Sequence, residues 1–151
     1  MVFWIALCLM LLIVLHELGH VACARLLNKR ISGYGVCMRP VPHFFVTVGE
    51  ELRRGETFLY LLSGVSVVVL LSALLLPLYA HCSAVRMAIA LQLLLDTNPL
   101  YSDVALVFHK LMAGRGWQEP TLATLSTGYY YSWVWYLHLI VWLVCIVLMF
   151  K

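Results

Sequence analysis

What this sequence lacks most is charge. Of its 151 residues only 11% are charged, and 64% are hydrophobic. A soluble domain carries about 25% charged and 45–50% apolar residues. With a mean hydropathy of +0.95, there is too little polar surface to enclose a water-soluble core of this size. This excludes most soluble enzymes and disordered proteins. The net charge of +3 is small and scattered, so no nucleic-acid partner is expected. Cysteine is also uninformative as chemistry. The five cysteines are odd in number and form no CxxC pair, so neither a disulfide framework nor a cysteine zinc site is implied. What remains is an integral membrane protein of one domain, with the lipid bilayer as its solvent.

Four apolar stretches are long enough to cross a bilayer, which takes about 20 helical residues. They run over about 2–24, 58–80, 84–113 and 130–150, and the third is broken at Asn98-Pro99. Backbone in lipid must satisfy its own hydrogen bonds, so each is read as a helix. The first stretch lacks a basic leader and a small-x-small cleavage site, so it is read as a retained span. Arg25, Lys29, Arg30, Arg39, Arg53, Arg54, Lys110 and Arg115 lie in the two larger loops, whereas Arg86 and Lys151 lie on the other side. This asymmetry places the loops in the cytoplasm and both termini outside, in the plasma (inner) membrane.

The first loop is not simply polar. Ile31–Met38 and His43–Gly49 are rich in β-branched residues and glycine, separated by the turn signal Arg39-Pro40-Val41-Pro42. A cytoplasmic β-hairpin is expected. The fold class is therefore an all-α membrane bundle of about four transmembrane helices with a small β-hairpin.

Residues 16–20 read H-E-L-G-H. On a helix, positions i and i+4 share a face, so His16 and His20 can reach one metal ion. Glu17, offset by one residue, can stand beside the ion's open position as general base and acid. At this composition the HExxH pattern is expected by chance only about 0.008 times per chain. Ionisable groups inside a span are costly, so three together need a compensating interaction. A catalytic zinc has three protein ligands and one open site. The chain has only two aspartates, Asp96 and Asp103, both beside Asn98-Pro99. They lie in the latter half of span three, and the histidines lie about two-thirds along span one, so both fall toward the cytoplasmic side. The proline removes a backbone hydrogen bond, which suits a break lining a polar pocket.

An HExxH in an apolar first helix, a β-rich loop, and an Asn-Pro-containing helix ending in Asp together resemble the site-2 protease family of intramembrane zinc metalloproteases. The likeness covers about residues 1–113. The resemblance implies that Asp103 is the third ligand to one catalytic Zn2+, ahead of Asp96, and that Asn98 orients substrate or the developing oxyanion. It also implies peptide-bond hydrolysis in a membrane-spanning or hydrophobic leader substrate. Val104 stands where the family usually has glycine after the ligand, and Ser63-Gly64-Val65-Ser66 keeps only the glycine of its Gly-Pro-x-x-Asn element. The hairpin edge is expected to hold the unwound substrate as an added strand. Regulation falls to a membrane partner, substrate supply, prior cleavage or a homo-oligomer. The alternative class is a non-catalytic metal-binding accessory protein or pseudoprotease, which would keep the polar cluster without needing Glu17. His138, in span four, is expected to be a hydrogen-bonded packing residue.

Overall fold

The computed structural model describes residues 1–37, 43–79, 81–113 and 129–149. Among these are five helices, α1 (Val2–Leu26), α2 (Arg54–Tyr79), α3 (Ser83–Asp96), α4 (Asp103–Ala113) and α5 (Trp133–Met149). Two strands, β1 (Ile31–Cys37) and β2 (His43–Val48), form one antiparallel sheet. The chain falls into two compact units, Met1–Leu93 and Leu94–Lys151.

In the first unit, α1 is apolar nearly all round. Its buried residues are His16, Gly19, His20 and Ala24. Leu7, Leu11, Val14 and Leu18 are exposed. That polarity is inside out for water, where the apolar stripe would be the buried one. The buried positions recur at three and four residues and make one stripe. On α2 the matching stripe is Thr57, Leu61, Gly64 and Val68. The seam is narrow because small residues meet across it. A Cβ added at Gly19 would lie 2.8 Å from the Ser63 carbonyl oxygen and 3.1 Å from the Gly64 Cα. Glycine there lets the two backbones approach as they do in membrane helix pairs.

The helix ends are specified locally. Asn28 sits past the end of α1 with φ 57°, a left-handed conformation that asparagine tolerates. Lys29 N–H donates to the Ala24 carbonyl at 2.8 Å, and Asn28 N–H to that of Arg25 at 3.0 Å. This is a Schellman closure, which satisfies two carbonyls the helix leaves over. At the start of α2, the Glu56 carboxylate accepts from the Arg53 N–H at 2.7 Å, the backward half of a capping box.

The chain then enters the hairpin, whose register runs from Ile31 opposite Val48 to Cys37 opposite His43, with a bulge between Ile31 and Gly33. The strands match the two segments expected from the sequence. The Arg39–Pro42 turn lies outside the described residues.

The third apolar stretch is two helices, interrupted at Asn98-Pro99. α3 ends at Asp96 and α4 begins at Asp103. Two local effects stop α3: Pro99 has no N–H to donate, and the Asn98 side chain competes for the backbone. Asn98 Nδ2 donates to the Leu95 and Tyr101 carbonyls, and its Oδ1 accepts from the Leu100 and Tyr101 N–H groups. Ser102 then caps α4, its hydroxyl oxygen accepting from the Ala105 N–H at 3.1 Å.

Among the described residues, α1 and the 54–74 part of α2 are long and apolar enough to cross a membrane. α5, over Trp133–Leu148, is apolar but shorter.

Candidate metal centre

His16 and His20 lie one turn apart on the buried stripe of α1, 7% and 5% exposed. Their Nε2 atoms are 3.1 Å apart, and the rings meet edge to face with centroids 4.9 Å apart. The orientation of His20 is fixed from α2. Its Nδ1 lies 2.8 Å from the Tyr60 carbonyl oxygen. A carbonyl can only accept, so Nδ1 carries the proton and Nε2 carries the lone pair. The Ser63 hydroxyl donates to the same carbonyl at 2.6 Å, and its oxygen lies 3.2 Å from Nδ1. The Tyr60 ring stacks at a tilt on His20, centroids 4.9 Å apart. A backbone carbonyl that holds a ligand imidazole in this tautomer is the usual outer partner of a metal-binding histidine.

Gly64 supplies the space. A Cβ there would stand 2.5 Å from Nε2 of His16, 2.6 Å from its Cε1 and 2.7 Å from its Cδ2. The His16 ring thus lies flat on the backbone of α2, and only hydrogen at position 64 permits it. Two nitrogens on one tetrahedral zinc stand about 3.3 Å apart, given Zn–N bonds of about 2.0–2.1 Å. The Nε2 separation of 3.1 Å fits that donor pair closely. Glu17, between the two histidines in sequence, is half-buried.

In the second unit, Asp103 is the first residue of α4 and half-buried. A carboxylate at a helix N-terminus sits at the favourable end of the helix dipole. Asp96 is the last residue of α3 and is 6% exposed. Within the first unit, His16 and His20 each offer one ring nitrogen to a metal ion. Asn98 spends its amide on the turn before Asp103, as described above.

Sequence reasoning missed Tyr60. Its hydroxyl donates to the Val46 carbonyl of β2, while its own carbonyl receives His20. One residue therefore ties the hairpin to the histidine pair. Nothing in the residue type at position 60 announces this, because the contact to His20 is made by backbone.

Comparison with known proteins adds no relative: no family model, curated protein or solved structure matches this chain.

Proposed function

We propose that this chain is an intramembrane zinc metalloprotease of the site-2 protease type. The observation that carries the reading is the His16–His20 pair. Two imidazoles stand with their Nε2 atoms 3.1 Å apart on an otherwise lipid-like helix, and one is locked by a backbone carbonyl in the tautomer a metal requires. His16, His20 and Asp103 would hold the ion. When bound, zinc supplies a Lewis acid that polarises the scissile carbonyl and acidifies water. Glu17 takes the proton of the attacking water onto its carboxylate and gives it to the departing amine. Asn98 orients the substrate. Its two amide N–H bonds to Leu95 and Tyr101 mean that contact with substrate requires one of them to be exchanged.

The four-span arrangement belongs to this proposal. α1 and α2 are full spans, α3 with α4 is a span broken at its active turn, and α5 is the fourth. The basic loops place the site toward the cytoplasmic side of the plasma membrane. The substrate is a transmembrane or hydrophobic leader peptide, received at the hairpin edge. A regulatory membrane partner or a homo-oligomer governs access.

Replacing Glu17 with Gln tests the chemistry. The expected outcome is zinc retained at wild-type content and cleavage of a transmembrane substrate reduced at least about 100-fold, the lower range for lost proton transfer. Unchanged processing by Glu17→Gln would assign the chain instead to the non-catalytic metal-binding class.

A further inference from the structure

The α3–α4 break creates a backbone problem that α4 alone does not solve. A helix end leaves its last carbonyls without intrahelical partners, and in lipid there is no water to take their place. Asn98 and Ser102 serve the inner part of the turn. The Ser102 hydroxyl donates to the Asn98 carbonyl at 2.7 Å. The outer carbonyls are reached by side chains from the chain's last segment. Trp142 Nε1–H donates to Leu94 at 2.9 Å. His138 Nε2–H donates to Thr97 at 2.7 Å. Trp135 Nε1–H donates to Pro99 at 3.1 Å. The Tyr130 hydroxyl donates to Leu100.

The four donors, Trp142, His138 and Trp135 on α5 and Tyr130 just before it, run in the opposite sense to the four acceptors. Positions 135, 138 and 142 share one helix face. His138 is fixed at both nitrogens. Because Nε2 donates, Nδ1 carries the lone pair and accepts from the hydroxyl of Tyr129, which is fully buried. Phe108 of α4 meets the His138 ring edge-on, centroids 5.1 Å apart. Plain packing would need apolar rings. Here three successive contact positions of α5 each bring an N–H, and each finds a carbonyl of the break.

We infer that α5 is a donor clamp for the 97–102 turn, and that Trp135, His138 and Trp142 are positioning residues for Asp103. The inference rests on the assignment of Asp103 as a metal ligand. The clamp does not touch the ion. It fixes the turn that leads into the first residue of α4, and so fixes where that carboxylate is presented.

Cobalt(II) titration of the full-length protein in detergent, followed by its visible d–d absorption, reads this directly. Trp135→Phe and Trp142→Phe keep an aromatic ring and lose the N–H; His138→Leu loses the donor, and His138→Gln keeps one. Loss of an outer partner weakens metal binding by about 10–100-fold. We expect that loss in Trp135→Phe, Trp142→Phe and His138→Leu, with far-UV circular dichroism unchanged, and recovery of most of the affinity in His138→Gln. Wild-type affinity in all three donor-deleted variants, with binding abolished by Asp103→Ala, would overturn the clamp and leave the ligand assignment standing. Equal loss in His138→Leu and His138→Gln would reduce His138 to packing and also overturn it. Wild-type affinity in Asp103→Ala would remove the ligand assignment itself, and the clamp's role with it.

Discussion

Gly64→Ala is the sharpest perturbation the structure offers. The added methyl would meet the His16 imidazole at 2.5–2.7 Å, against an ordinary van der Waals contact of about 3.4 Å or more. Something must therefore yield by about 0.9 Å. The nearest atoms are all in a side chain, so the ring gives way before the helices part. Metal–ligand distances tolerate about 0.2 Å, several times less than the required displacement. The α1–α2 seam should survive, at an overpacking cost of about 1–3 kcal/mol, while His16 leaves the ligand position proposed for it. Zinc content by mass spectrometry should fall below one-tenth of wild type, with helix content unchanged. Gly19→Ala is the contrasting case. Its methyl would strike the Ser63 carbonyl at 2.8 Å, and backbone cannot rotate aside. Its main effect should be a lowered melting temperature. Gly55→Ala meets nothing within 4 Å, so it controls for helix propensity and should be neutral or stabilising by up to about 1 kcal/mol. Full zinc occupancy in Gly64→Ala would refute the placement of His16 against α2, and with it the ligand geometry derived from that placement.

Two further outcomes are expected. Asp103→Ala should lose near-stoichiometric zinc while Asp96→Ala keeps it; the reverse pattern would move the third ligand to Asp96. Ser102→Ala removes the cap of α4 and should cost about 0.5–2 kcal/mol, seen as a lower thermal midpoint, with a wild-type midpoint counting against the capping role.

The sequence was most legible where chemistry sits in side chains at fixed spacing. H-E-L-G-H placed His16 and His20 on one helix face, and both are there. Turn residues also spoke plainly: the hairpin strands and the interruption at Asn98-Pro99 lie where they were expected. The third stretch was harder, because hydropathy counts apolar residues without asking whether the helix is continuous. Asn98 and Pro99 make the break by withdrawing backbone groups, and apolar residues on both sides hide its length. Partners that act through main chain were invisible. Tyr60 orients His20 with a carbonyl every residue possesses, and Gly64 matters for an atom it does not have. Trp135 and Trp142 lie in an apolar stretch, where hydropathy does not register the indole N–H that each contributes to the break.

The Schellman closure at Asn28 also sets a distance. α1 stops at Leu26, six residues beyond His20, so the histidine lies about 9 Å along the axis from the hairpin end at 1.5 Å per residue. A water molecule is roughly 2.8 Å across on the hydrogen-bond distance scale. A file of three or four waters would therefore span the distance from the hairpin end to His20. That distance is set by where an asparagine ends the helix.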